Sequence, residues 1–290
     1  MSQVLIILRF CDLIIPICLM PLLRQPSKSI VTSVISSMEL TFDEFCSFTS
    51  SITKEAAEII TSRDFSSIRT RAKPDGTLVT NTDCDVEMLI RSRIEEKFPS
   101  HGIIGEEYDD KIKSSSYAWI IDPIDGTTSY HFGVPFFGIL VGLLKDGNPV
   151  FGSMRLPMLN HMLVGDGSQC MIDGARCKVK KFDGFERALI LTSDDVRMSN
   201  SIYCESWSRL RETGATFRTW GDCYGYYLLC SGKADAMFDL DLKPCDILPI
   251  IPIVKGAGAR IVDFGKNQES DLSACVPELG DKISTLFANH

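Results

Sequence analysis

Carboxylates gather where apolar runs end. Glu106 and Glu107 follow Ile103-Ile104-Gly105, and Asp122 and Asp125 follow Trp119-Ile120-Ile121 within Asp122-Pro123-Ile124-Asp125-Gly126-Thr127. A buried strand ending in this way is expected to leave two acids in a tight loop. Pro123 fixes its own φ, and Gly126 permits a sharp turn. Two carboxylates held close repel each other, so one resists ionisation unless a cation lies between them. Mg²⁺, which takes oxygen ligands in octahedral geometry, suits such a loop. Asp, Pro and Gly are also ordinary turn residues, and a solvated surface turn is the default for any single acid. It is a poor account of the whole pattern, which follows two apolar strands in succession.

The elements that must position these acids can be read from periodicity. Thr41 with Glu44 forms a capping-box pattern, and Phe42, Phe45, Phe48, Ile52, Ala56 and Ile59 follow at helical spacing. Lys73-Pro74-Asp75-Gly76 reads as a turn and Leu78–Thr80 as a short strand. A second helix is expected from about Asp83 to Phe98, with Val86, Leu89, Ile90, Ile94 and Phe98 on one face, ended by Pro99. Strands are expected at Ile103–Ile104, Ala118–Ile121, Phe136–Leu144, Val150–Leu156 and His161–Val164. Asp146-Gly147-Asn148 marks a hairpin. After Asp183 the pattern alternates: strands at Ala188–Thr192, Thr216–Thr219 and Ala236–Asp239, and helices at Ser199–Glu212, Asp222–Cys230 and Asp246–Lys255. With Asp246 as N-cap, Pro249 falls in the first turn, and Pro252 is expected to kink the last helix. The fold class is α/β, with an α+β N-terminal half at 38–183 and an α/β C-terminal half at 184–290 that completes the site.

Bulk properties narrow the classes. The chain has 290 residues, 44% hydrophobic and 23% charged, enough to bury a full core. A net charge of −8 argues against a nucleic-acid partner, which needs Lys and Arg to displace counterions. A phosphorylated substrate must then be attracted by something else, and a bound cation is the economical answer. Eleven cysteines without a C-x-x-C pair, and four histidines, give no structural zinc pattern. They read as reduced thiols of a cytoplasmic protein.

Residues 1–37 differ from the rest. Val4–Leu23 is mostly apolar but interrupted by Arg9, Asp12, Pro16 and Pro21, and Ser27–Ser37 is Ser-rich. Each charge costs roughly 2.5–3.5 kcal/mol at a bilayer centre. The segment reads as an extension outside the functional fold, with translation starting at Met38 as one account and a weak membrane anchor as the competing one. No other segment suggests a membrane.

Gly105-Glu106-Glu107, then Trp119 through Thr128, resembles the inositol monophosphatase superfamily, and Asp246 followed by Gly256-Ala257-Gly258-Ala259 is similar to its C-terminal motif. The likeness runs from about Met38 to Gly265. It implies a layered αβαβα sandwich, usually a homodimer, that hydrolyses a small phosphorylated metabolite with metal-activated water. It implies two Mg²⁺ ions, or three. Glu106, Asp122 and the carbonyl of Ile124 match ligands of one metal, and Asp122, Asp125 and Asp246 match ligands of the second. Asp83 and Thr127 resemble the pair that, with Glu106, handles the attacking water. The amides of Gly126 and Thr127, beside Asp125, match the phosphate-binding turn. Lys73 lies near the position of a lysine beside a third metal. Cys245 stands where the family usually has an aromatic residue, which puts the packing behind Asp246 in doubt.

The family's substrates include inositol phosphates, histidinol phosphate, fructose bisphosphate and adenosine bisphosphates. Trp220-Gly221-Asp222-Cys223-Tyr224-Gly225-Tyr226 resembles the histidinol-phosphate phosphatase branch. Asp222 and Asp239 are then expected to meet a cationic amino alcohol, with Trp220 and Tyr224 over its imidazole. The alternative reading makes the aromatics core and Asp222 the N-cap of the following helix. An inositol-1-monophosphatase is the nearest competing enzyme. A non-catalytic regulatory protein on this fold is the competing class, and it predicts an eroded site or a basic face. Asp263-Phe264-Gly265 spells a kinase tripeptide without the other kinase motifs, and Gly256-x-Gly258 lacks the third glycine of a dinucleotide loop. His131 and His161 have no partner at metal-ligand spacing.

Overall fold

The computed structural model describes residues 39–265 and 270–288. The expectations for residues 1–37 fall outside them. Among the described residues no helix is long and apolar enough to cross a membrane.

In chain order the elements are α1 (Phe42–Ser62), β1 (Thr70–Ala72), β2 (Leu78–Thr80), α2 (Asn81–Lys97), β3 (Gly102–Gly105), β4 (Tyr117–Asp125), α3 (Thr127–His131), β5 (Gly138–Lys145), β6 (Asn148–Leu156), β7 (His161–Gly165), β8 (Cys170–Ile172) and β9 (Ala175–Cys177). There follow β10 (Leu189–Thr192), α4 (Asp195–Asn200), α5 (Cys204–Arg211), β11 (Thr216–Arg218), α6 (Asp222–Cys230), β12 (Ala236–Asp239), α7 (Pro244–Ile247), α8 (Ile250–Gly256), β13 (Arg260–Asp263), β14 (Leu272–Cys275) and α9 (Pro277–Phe287).

Two large sheets carry the fold. The first has strand order β3-β4-β5-β6-β7-β8-β9, parallel only between β3 and β4. The second is β11-β10-β12-β14-β13, parallel across β11-β10-β12 and antiparallel beyond. Helices α1 and α2 cover one face of the first sheet, while α6 and α8 lie between the sheets. On the far side of the second sheet, α9 packs beside α5, where the Ser206 hydroxyl donates to the Leu286 carbonyl at 2.6 Å. This is the expected αβαβα sandwich.

Local chemistry explains most of the elements. The Thr41–Glu44 capping box forms, and α1 buries Phe45, Phe48, Ile52, Ala56 and Ile60 against Trp119 and its neighbours. Each such side chain contributes about 1.5–3 kcal/mol. Asp146 and Gly147 both have positive φ, as a two-residue hairpin turn with right-handed strand twist requires. Asp263 Oδ1 accepts from the Gly265 amide at 2.9 Å and so caps the turn after β13.

Three expectations are corrected. The Ser199–Glu212 helix begins later, as α5 at Cys204, and a separate helix, α4 (Asp195–Asn200), starts before the expected range. Ser201 separates them, its hydroxyl donating to the Met198 carbonyl and accepting from the Tyr203 amide. The last helix is two, and the break comes at Pro249, not at a kink at Pro252. Pro249 has no N–H to continue α7, and Pro252 falls in the first turn of α8, where the missing donor costs little. Asp246 is not an N-cap. It lies inside α7, and its Oδ2 accepts from the Lys243 amide at 2.8 Å.

One feature of the first sheet was not expected. Gly142, Gly152 and Gly165 stand directly opposite one another across β5, β6 and β7. A Cβ on Gly152 would lie 1.8 Å from the Pro249 carbonyl oxygen, and one on Gly165 would lie 2.5 Å from Ile253 Cα. This glycine row lets the α7–α8 junction press onto the sheet, three residues after Asp246.

Candidate active site

The Asp122–Asp125 motif belongs to a strand rather than a loop. β4 runs through it, and its pairing with β5 slips between Asp122↔Leu140 and Asp125↔Gly138. Three steps on β4 thus face two on β5, a bulge beside a proline that cannot donate to the ladder. In a regular strand, residues three apart point to opposite faces. The bulge lets Asp122, Asp125 and Ile124 line one cavity. Gly126 follows with φ 87, as the left-handed N-cap of α3. The first-turn amides of α3 have no carbonyl within the helix to bind.

That cavity holds about 360 Å³ and opens between residues of both sheets. It brings together Glu106, Asp122, Ile124, Asp125, Gly126, Thr127, Asp222, Asp239 and Asp246. Oxygens of Glu106, Asp122 and Asp246 lie within 4.8 Å of one another. Asp125 is engaged elsewhere, its Oδ2 accepting from the Cys223 amide at 2.5 Å. Asp83, buried at the start of α2, accepts from the Thr80 hydroxyl at 2.5 Å. The Thr127 hydroxyl lies 3.1 Å from Asp83 Oδ1 and 2.9 Å from the Ile124 carbonyl, and its one proton serves one of them at a time.

The electrostatics are those of crowded acids. Burial first, then Glu106, Asp125 and Asp246, hold the Asp122 carboxyl well above its ordinary range. Burial, then Asp222 and Asp246, do the same to Asp125. Burial pushes Asp246 up to about 6 and Asp239 to about 7. A cation relieves this crowding, and a donor set of carboxylate oxygens fits a hard divalent ion such as Mg²⁺.

Sequence reasoning placed Lys73 nearby but missed its contacts. Its ammonium lies 2.7 Å from both Glu106 and Glu107. Burial alone would lower its pKa, but the hydrogen bonds it donates to those two carboxylates carry it above the usual lysine value. Lys243 was missed entirely, at 3.0 Å from Asp75 and 3.5 Å from Glu106. So was Ser193, and Tyr226 was given only as part of the Trp220–Tyr226 string; the two donate to the two oxygens of Asp239 at 2.5 and 2.8 Å. No local pattern marks these contacts, because the partner lies on another element.

The expected aromatic cover is not where it was placed. Trp220 lies under the Arg218 guanidinium and Tyr224 stacks on Phe136, with ring centroids 4.5 Å apart, and neither lines the cavity. Nor is Asp222 an N-cap. Gly221 holds that position, and Asp222 opens α6 with a strained φ of 50°. Its amide donates to Ser193 Oγ at 2.8 Å. Cys245 is buried against Ile120 and Leu144, so apolar packing behind Asp246 is retained. His131 and His161 are hydrogen-bonded to Thr70 and Asp173, and the nine described cysteines are free thiols.

The sequence pattern of the inositol monophosphatase family matches residues 42–286. The chain belongs to the inositol monophosphatase family. It is similar to the histidinol-phosphatase of Chlorobaculum parvum, 33% identical over 203 residues that cover 70% of this chain and 78% of that one. It is also similar to bifunctional phosphatase IMPL2, chloroplastic, of Arabidopsis thaliana, 32% identical over 235 residues covering 80% and 67%. Among solved structures, extragenic suppressor protein suhB from Bartonella henselae shares the fold, with a TM-score of 0.79 at 20% identity, covering 84% of this chain and 98% of that one. As an inositol monophosphatase family member, the protein is a metal-dependent phosphoric monoester hydrolase acting on a small phosphorylated substrate.

Proposed function

We propose that this phosphatase hydrolyses histidinol phosphate to histidinol and phosphate. The observation that carries the reading is the pair Asp222 and Asp239, buried and crowded carboxylates that line the same cavity as the Asp122–Thr127 turn. Burial pushes Asp222 up to about 6. An ammonium or imidazolium relieves these acids, whereas a polyol hydroxyl brings no charge.

In this reading Glu106, Asp122, Asp125, Asp246 and the Ile124 carbonyl would hold Mg²⁺. Bound there, Mg²⁺ supplies a water of lowered pKa and charge neutralisation at the phosphate. Asp83, held by Thr80, and Thr127 would orient an attacking water, with Glu106 beside it. The amides of Gly126 and Thr127 bind phosphate oxygens. Ser193 and Tyr226 fix Asp239, which keeps lone pairs for the substrate.

Histidinol phosphate is expected to have the higher kcat/KM when compared with inositol 1-phosphate. Both present the same phosphate, so the difference comes from the remainder of each molecule. One charge-assisted hydrogen bond contributes about 1.5–3 kcal/mol, roughly one to two orders of magnitude. Asp222→Ser should narrow the preference by slowing histidinol phosphate. A wild-type preference for inositol 1-phosphate, or an equal effect of Asp222→Ser on both substrates, would overturn the substrate assignment and leave the phosphatase in place.

A further inference from the structure

We propose that the buried Glu87–Arg91 ion pair on α2 is a positioning device for the metal site, clamping the backbone that follows Glu106. The inference rests on Glu106 being a metal ligand.

The pair is built into the end of β3. Glu87 is fully buried and Arg91 nearly so, with Arg91 Nε 2.7 Å from Glu87 Oε1. Glu87 spends its remaining acceptors on the next loop. Its Oε2 accepts from the Glu107 amide at 2.8 Å, and its Oε1 from the Tyr108 amide at 3.3 Å. Arg91 takes the carbonyls of the same stretch, donating to Tyr108 at 2.8 Å and to Asp109 at 3.1 Å. Both polarities of residues 107–109 are thus held from one helix. A Cβ on Gly105 would lie 2.0 Å from Glu87 Oε1 and 2.4 Å from Arg91 Nη2, so glycine there lets the pair lie against the strand.

The clamp joins two parts of the site. Asp83 is one helical turn before Glu87 on α2, so the helix that presents Asp83 also fixes the residue after Glu106. Glu107 continues the linkage, because its carboxylate and that of Glu106 share the Lys73 ammonium. A buried ion pair must satisfy its remaining donors and acceptors, and here all four of those hydrogen bonds fall on residues 107–109, the stretch directly after one ligand. Partners that orient a ligand typically change metal affinity about 10–100-fold when removed.

The test is binding of Mn²⁺ to the whole chain, read as free Mn²⁺ by electron paramagnetic resonance. It is set beside unfolding in chelator and the Mg²⁺ dependence of phosphate release. Glu87→Met/Arg91→Met replaces the pair by apolar side chains, a change that is often neutral for stability. Here it leaves the Glu107 and Tyr108 amides and the Tyr108 and Asp109 carbonyls without these partners, so its Tm in chelator is expected to fall while the protein stays folded at the assay temperature. Its Mn²⁺ affinity should fall about 10–100-fold, with activity partly recovered at high Mg²⁺. Arg91→Lys keeps the charge but not the fork to two carbonyls, and it should weaken Mn²⁺ binding less. If the double variant does not fold, Arg91→Lys decides alone. Unchanged Mn²⁺ affinity in whichever variant folds overturns the clamp. Asp122→Asn is the control: if it binds Mn²⁺ like wild type, the metal-site reading fails instead.

Discussion

Asp122→Asn is expected to lower kcat/KM for any phosphate monoester by roughly a thousandfold or more at saturating Mg²⁺. Asp122 is the buried member of the three-carboxylate cluster and faces Glu106, Asp125 and Asp246. An amide keeps the shape, and Asn can still accept from the Ile124 amide, now 3.0 Å from Asp122 Oδ1. It removes the charge that a divalent ion needs. The same loss of repulsion gives the opposite result without metal, where the variant should unfold at or above the wild-type temperature in chelator. Mg²⁺ at a hundred times its Kd stabilises wild type by about 2.7 kcal/mol, roughly 5–11 °C in a chain of this size, and should stabilise the variant little. Activity within a factor of ten of wild type would count against Asp122 as a ligand.

Gly152→Val is expected to lower Tm by about 6–12 °C, corresponding to ~3 kcal/mol of overpacking. The new side chain enters where the Pro249 carbonyl now lies against the sheet. The junction that must move follows Asp246 by three residues, so the variant should also gain less Tm from Mg²⁺ than wild type. A Tm within 2 °C of wild type in thermal unfolding would show that α8 shifts without cost.

The chemistry of the site was legible in the sequence because its first half is local. Glu106 follows one strand, and Asp122 through Thr127 ends the next, so residue order alone juxtaposes acids with apolar runs. Elements with strong periodicity, such as α1, or with clear flanks, such as α6 and β12, were readable from local sequence alone. Breaks made by a single residue were not. Ser201 ends α4 by hydrogen-bonding its own neighbours, and Pro249 ends α7 by lacking a donor, while the apolar pattern continues across both. The bulge in β4 was hidden because it exists only relative to β5. The glycine row, the Glu87–Arg91 clamp and the Ser193–Asp239–Tyr226 contacts join residues whose proximity is set by tertiary packing, and no window of one chain displays them.

If these carboxylates hold Mg²⁺ for the hydrolysis of a phosphate monoester, removing the ion stops the reaction. Phosphate release from histidinol phosphate tests it most directly, measured on chelator-stripped protein before and after Mg²⁺ is restored. No turnover is expected without the ion, and full turnover with it. Release at the full rate in excess chelator, or none after Mg²⁺ is restored to folded protein, would contradict it.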